Sequence, residues 1–513
     1  MNKHIKKLLC ALLAISATHL QASNRYTNQT YLAPRPHGVN LPMEYTAFHE
    51  LFERKVGHTF GGNLQVTGFY QGSTESEDIA RYFLFNKKDS ITLTKAAVAA
   101  NTTISTAADL DLGYLIHEQA GANAHSAKVT FRPQQQSYGV RFDYRQDLSK
   151  IMNGLYFYAN VPVVYVENNV RIAVSAAGNY LVADNVTPVD TPVKTVVEKF
   201  FNGTFENTGA GNNHQAKLTN ARISGKQRTT NLADLDMGLG YHFWNKERFA
   251  IALAAAVTIP TGNKAEGVYL FEPLAGNGKH FAVGADLDAH VRIWGRHDHN
   301  VKLALVAKYR YLFEHIERRT VGIKGRNWGQ YHLLATTNSP AATQQLTPAA
   351  NVLTFNMDVT PGSQFDGVLN MCYNNCNFSV DLGYNLYYRE DETVKLRDTF
   401  TDSIYAIAAR NFDTSADFLV VAAGAPVTPI TPSNRIDGDV ANGAASILTN
   451  ASLDFDRAKT PSQTTHSLYG NLCYHVSQGS NPWLLATGGK YEWPDQNSAL
   501  QQWSVWGKVG VGF

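Results

Sequence analysis

The sequence predicts an all-β fold: a closed, antiparallel, up-and-down transmembrane barrel of about 12 strands, with about 14 as the alternative. Three observations predict it. Many short stretches alternate apolar and polar residues one by one, the period of a strand with a single oily face. In several of them that face runs unbroken for roughly 9–11 residues, long enough to cross the hydrocarbon layer at a tilt. It carries almost no charge, and a Lys or Arg there costs about 2–4 kcal/mol at mid-membrane. No stretch beyond the N-terminus has the roughly 20 consecutive apolar residues of a spanning helix. Only helices and closed barrels satisfy every backbone group inside lipid.

Composition agrees. The 513 residues would make two or three soluble domains by length alone, yet no composition shift divides them. The formal charge of +2 implies neither nucleic acid nor an acidic partner. Thirty-nine glycines and 11% aromatic residues suit strands and turns more than helices. Lys3, Lys6 and Lys7 precede an apolar run over 8–17 and then Leu20-Gln21-Ala22. That is the pattern of a secretory signal peptide over 1–22, cleaved after Ala22.

In chain order, 23–62 shows no strand pattern and reads as a periplasmic lead-in or a plug for the lumen, with a short amphipathic helix over 44–55. The barrel then occupies 63–513. Its first strand is 63–72. A long polar stretch follows, within which 109–116 alternates as a strand of its own; paired with 127–132 it would bring the count to about fourteen. At 138–145, Tyr138, Val140, Phe142 and Tyr144 face away from Arg141, Asp143 and Arg145. The return at 155–165 contains Pro162, which cannot donate to a ladder. The pattern recurs at 233–243 and 249–259, at 281–293 and 301–313, at 365–373 and 378–388 around the hairpin signal Asn374-Asn375, at 468–474 and 483–493, and at 503–513. Short turns follow every second strand and longer polar loops the others, which in such barrels are periplasmic and extracellular respectively. Aromatics gather near strand ends, among them Tyr309, Tyr311, Phe313, Trp483, Tyr491 and Trp493, where amphipathic rings favour a membrane interface.

The last strand is the most regular. Trp503, Val505, Val509, Val511 and Phe513 share one face, and the chain stops on Phe513. Here it resembles the bacterial outer-membrane β-barrel proteins, porin-like in character. In that class a C-terminal strand ending in Phe, with apolar residues two and four before it, is read by the barrel-assembly machinery. The resemblance implies that role for Phe513, Val511 and Val509, an outer-membrane location, and outer-membrane lipid as the surrounding partner.

The polar faces hold Arg141, Asp143, Arg145, Asp234, Asp236, Asp286, Asp288, Arg292, Lys308 and Arg310, with Lys302, Asp381, Lys490, Glu492 and Lys508 in the same phase. Pairing across the 295–300 turn would set Asp286 and Asp288 beside Lys308 and Arg310. Two readings follow: a wall of satisfied ion pairs that stiffens the barrel, or a charged constriction that sorts solutes. Cys372, Cys376 and Cys473 leave a disulfide and free thiols both open. His297-Asp298-His299 is a solvated turn rather than a metal site. His466 and Ser467, being adjacent, point to opposite faces and cannot form a catalytic pair. No cofactor, no metal and no enzyme activity is expected. Function divides between a channel for passive passage of small hydrophilic solutes and a surface-interaction or structural barrel whose long loops, 390–463 above all, bind a host or neighbouring protein. The oligomeric state is left open.

Overall fold

A computed structural model describes residues 25–47, 61–95, 109–117, 125–182, 189–207, 214–246, 248–296, 299–336, 345–410, 418–419, 447–476 and 481–513. Twelve antiparallel strands close on themselves: β1 Gly62–Ser73, β2 Gln134–Asp147, β3 Leu155–Asn169, β4 Leu235–Lys246, β5 Phe249–Ile259, β6 Ala282–Arg296, β7 His299–Leu312, β8 Gly362–Asn375, β9 Phe378–Arg389, β10 Gln463–Val476, β11 Trp483–Pro494 and β12 Gln502–Gly512. β1 bonds to β12 on one side and to β2 on the other, so the described sheet has no free edge in its barrel. The seam runs to the last residue, since Gly62 and Phe513 exchange backbone hydrogen bonds of 2.9 and 2.8 Å.

A thirteenth strand, Lys226–Leu232, continues β4 above a break at Ala233-Asp234 and pairs with the upper half of β3. Pro162 lies opposite that break, and its carbonyl accepts from the Ala233 N–H. In an antiparallel strand the N–H and C=O of one residue point the same way. The missing proline N–H therefore falls where the ladder is already interrupted.

Side chains sort as the alternation requires. Along β12, Trp503, Val505, Val509 and Val511 are exposed on the outer wall, while Gln502, Ser504, Trp506 and Lys508 are buried within. The same oily wall continues through Leu253, Val283, Leu305, Leu369, Leu382, Leu472 and Leu485. Aromatic rings bound it at both ends. Phe243, Trp244, Phe249, Trp294, Tyr373, Phe378, Tyr474, Trp483 and Phe513 stand at the short-turn end. Tyr138, Phe281, Tyr309, Tyr311, Phe313, Tyr388, Tyr491 and Trp503 stand at the other. From Trp503 to Phe513 the strand rises about 3.4 Å per residue at about 40° tilt, a band about 26 Å tall. Trp493 faces outward but is only 5% exposed, covered by its neighbours rather than by lipid. The hairpin turn after β8 lies at Cys376-Asn377, with Cys376 at φ 53°, one step beyond the Asn374-Asn375 pair that still belongs to the strand. All three cysteines in the described residues are free thiols.

Twelve strands, not fourteen, form the barrel because 109–116 and 127–132 belong elsewhere. The first is a two-residue bridge followed by a 3-10 turn, Leu112–Tyr114, and the second lies in strand His125–Phe131. Both join a four-stranded sheet in a cap built by the long connections. Each alternates because it buries one face, but against protein rather than lipid. The cap has its own apolar core around Trp328, whose indole meets Phe85, Phe131, Phe201 and Tyr331 and donates to the Phe83 carbonyl at 3.0 Å. These rings come from three different connections, so the long loops are stapled together. Two helices, Ser76–Phe83 and Val193–Asn202, pack their apolar faces into the same core.

A candidate lumen site and its plug

Residues 25–47 run inside the barrel from the cap toward the short-turn end. The upper part belongs to the cap: the Asn28 and Gln29 N–H groups donate to the carbonyls of Leu84 and Tyr82, Tyr31 and Leu32 are buried, and the Arg319 guanidinium lies 3.4 Å over the Tyr31 ring. The chain then passes Pro34 and Pro36 in extended form. It ends in a short helix, α1 Leu41–Tyr45, whose first turn is capped by the Asn40 side chain accepting from Met43 N–H. Of the expected 44–55 helix only this earlier turn is described; 48–60 lie outside the described residues.

The lower part is held by polar contacts to the wall. Arg35 reaches Asp366 on β8 at 2.9 Å and Glu492 on β11 at 2.7 Å, and its guanidinium lies 4.4 Å from the Tyr387 ring centre. Lys490 also meets Glu492, at 2.7 Å. Glu44 bridges the lumen: one oxygen lies 2.6 Å from Arg141 on β2, the other 2.6 Å from Lys308 on β7. Lys508 on β12 donates to the carbonyls of Met43 and Thr46, and the Ala47 N–H donates to Asp381 on β9 at 3.2 Å. Buried charges persist in pairs because an unpaired one costs several kcal/mol.

The wall carries its own pairs beside these. Arg141 holds Asp143 at 2.6 Å; Arg310 joins Asp236 at 2.9 Å and Asp286 at 2.5 Å; Lys308 also meets Asp236, at 3.2 Å. Tyr158 donates to Asp286 and Thr258 to Asp236. Register explains part of this, since Asp286 is directly opposite Lys308. Asp288 is opposite Val306 instead and meets Arg145 at 3.9 Å, while the Arg145 guanidinium lies 4.0 Å from the Tyr156 ring centre. Asp234 is buried at the break above β4, and Arg292 is half-buried near the short-turn end opposite Lys302. The structure thus brings Arg141, Asp143, Asp236, Asp286, Lys308 and Arg310 into one mid-lumen cluster and leaves Asp234, Arg145, Asp288 and Arg292 above or below it.

Room remains on one side. β5 turns Ala250, Ala252, Ala254, Ala256 and Thr258 inward, and the Tyr156 and Tyr158 rings pack against the last three of those alanines. One cavity of about 50 Å³ lies above Glu44, lined by Gly38, Asp236, Thr258, Arg310 and Gln364; a second of about 70 Å³ lies below it, lined by Tyr156, Asn160, Asp286, Asp288 and Val306. Glu44 and Lys308 line both. Sequence reasoning missed Arg35, Glu44 and Asp366. Asp366 was detectable, being in phase with the inward face of β8. Arg35 and Glu44 sit on no strand, so alternation could not assign them.

On the outer wall, His466 accepts at Nδ1 from Tyr384 and meets Asp495 through Nε2 at 2.9 Å, stacked between Tyr384 and Trp493. Ser467 points the other way and donates to Asn385 inside the barrel at 3.1 Å. The two therefore do not pair.

A closed sheet, an oily outer belt between two aromatic rings and a charged interior occur together here. The fold is that of an outer-membrane β-barrel. No protein-family model matches the chain, and no curated protein matches it. Among solved structures it is similar to an outer-membrane channel from Pseudomonas putida F1 (9% identity over 89% of this chain and 97% of that one, TM-score 0.35). It is also similar to a FadL homologue from Pseudomonas aeruginosa (7%, 88% and 90%, TM-score 0.28) and to a mutant of the TodX monoaromatic hydrocarbon channel (8%, 95% and 97%, TM-score 0.31). Superpositions this loose decide neither the strand count nor the cargo.

Proposed function

We propose that this chain is an exported outer-membrane channel for small hydrophilic solutes, closed at rest by its own residues 25–47. The observation that carries the reading is how the lumen is filled. The occupant of the barrel is a separate chain segment fixed to the wall by ion pairs and hydrogen bonds through Arg35, Glu44 and the 43–47 backbone, with only Leu41, Met43, Tyr45 and Ala47 of its lower part set in small apolar clusters. Water can replace such contacts one by one, whereas a side-chain-packed lumen could not open without unfolding. In this reading the signal peptide over 1–22 is removed, the short turns face the periplasm, the cap faces outward, and Val509, Val511 and Phe513 deliver β12 to the assembly machinery.

The hydrophilic cargo rests on lumen chemistry: the cavities beside the plug are bounded by carboxylates, cations, hydroxyls and amides, interspersed with Leu41, Leu312 and Val306. A second reading, a surface-interaction barrel, draws on the cap, whose core around Trp328 gives the long connections a fixed shape fit for binding.

Planar-bilayer recording of refolded protein tests the choice. The channel reading expects rare openings in the native chain and frequent discrete steps when Arg35→Ala and Glu44→Ala together release the plug. A folded double variant that stays silent contradicts it and favours the surface-interaction reading.

A further inference from the structure

Three wall cations converge on α1 from three strands, and in each case the acceptor belongs to the plug. Arg141 donates to the Gly38 carbonyl at 2.8 Å and to Glu44; Lys308 donates to Glu44; Lys508 donates to Met43, Thr46 and the Thr46 hydroxyl. Arg141 and Lys508 are almost wholly buried, at 1% and 2% exposure. Their positions are fixed by the wall: Arg141 by Asp143, Lys308 by Asp236. Glu44 is different. It comes from a five-residue helix on an otherwise extended segment and reaches its two cations across the lumen from opposite sides.

We infer that Arg141 and Lys308 form a binding site for one carboxylate- or phosphate-sized anionic group of a small solute, and that the Glu44 carboxylate fills it here as an internal surrogate. Three observations meet at that point. The two donors converge on one carboxylate, Arg141 at 2.6 Å from one oxygen and Lys308 at 2.6 Å from the other and 2.8 Å from the first, in charge-assisted hydrogen bonds. Cavities of about 50 and 70 Å³ flank that carboxylate above and below, and Glu44 and Lys308 line both, so space adjoins the donor pair on two sides. Asp143 and Asp236, each paired with one of the two cations, balance their charge, so an anion is held by directed hydrogen bonds and a polyanion is disfavoured. Solute and Glu44 compete for the same donors, which makes solute binding and plug release one equilibrium.

The site deepens the channel reading, but its test does not depend on conduction. Refolded full-length protein in detergent is titrated calorimetrically with sodium phosphate and with sodium acetate at fixed ionic strength. The native chain is expected to bind at least tenfold more weakly than Glu44→Ala, because Glu44 competes for the donors. Glu44→Ala is expected to bind at least one of the two anions saturably, and the pair of titrations reports whether a phosphate or a carboxylate fits better. Adding Lys308→Gln to Glu44→Ala should weaken that binding at least tenfold. Heat-modifiable gel migration checks folding, and Glu44→Ser takes the place of the alanine variant if that one fails. The inference is overturned if folded Glu44→Ala protein binds neither anion, or if Lys308→Gln leaves its binding unchanged. A conducting barrel without the anion site removes this inference alone, while a silent barrel that binds phosphate removes the channel reading alone.

Discussion

Arg310 touches two carboxylates supplied by two different strands, Asp236 from β4 and Asp286 from β6, and so ties the wall together from within. Removing one partner of a buried pair leaves the others charged and desolvated, at a cost of about 3–5 kcal/mol. Arg310→Gln is therefore expected to lower the urea midpoint of the folded barrel markedly. Asp286→Asn should do so less, because Arg310 keeps Asp236; equal effects would mean that the cluster is solvated. In the cap a second network, Glu317–Arg319–Glu392–Arg389, carries a pH dependence. Burial pushes the Glu392 carboxyl up, but Arg319 and Arg389 more than reverse it and hold it at about 2. His332, buried near Arg326, is held down at about 3. Both groups sit below their unfolded values, so the unfolded chain takes up protons first as pH falls. The Glu392 contribution is full above about 4.5 and is lost toward about 2, and the His332 penalty grows from 6.5 down to about 3. Trp328 fluorescence should thus report cap loosening on acidification, and Glu392→Gln should flatten the part of that change below about 4.5. An unchanged acid profile in that variant would show that the network does not hold the cap.

At the scale of single elements, inward glycines let aromatic rings lie on the wall. A Cβ on Gly240 would fall 2.1 Å from the Tyr156 ring, and one on Gly488 would fall 2.6 Å from Trp506. Gly240→Val is expected to lose the heat-resistant folded form, since overpacking costs about 1–3 kcal/mol or more where neither strand nor ring can shift; retention of that form would mean Tyr156 turns away freely. Outside, Val509→Arg on β12 should cost about 2–4 kcal/mol in lipid. Lys508, one residue earlier, is already charged and buried inside. The strands were legible because each writes its two environments into alternate positions. β12 shows the alternation over its whole length, and even Pro162 did not break it, because a ladder gap lies opposite. The cap was not legible. Strands such as Thr354–Thr360 and turns such as Leu112–Tyr114 are short, and Thr354–Thr360 gains one partner about 40 residues back in its own connection and the other from the next long connection. A stretch like 109–116 alternates for the same reason as a membrane strand, and nothing local separates lipid from a protein core.

For the whole molecule the plug is the feature that sequence pattern named only as an alternative and could not describe. Residues 25–47 make almost no regular structure, and their places are set by charges on β2, β7, β8, β9, β11 and β12. Alternation assigned those charges to the interior but could not tell which would pair with one another and which with a visiting segment. Glu44 and Arg35 became visible only once the wall had been closed around them. The arrangement as a whole requires oily residues outside, ions inside and lipid around the belt. Spin labels on a cysteine-free background, reconstituted in lipid vesicles, read this most directly. Labels replacing Leu253, Leu472 and Val509 should be relaxed strongly by dissolved oxygen and little by a water-soluble nickel complex, while labels replacing Ala252, Asn471 and Ser504 should be shielded from oxygen. Oxygen reaching the second set as readily as the first would contradict a barrel standing in the membrane.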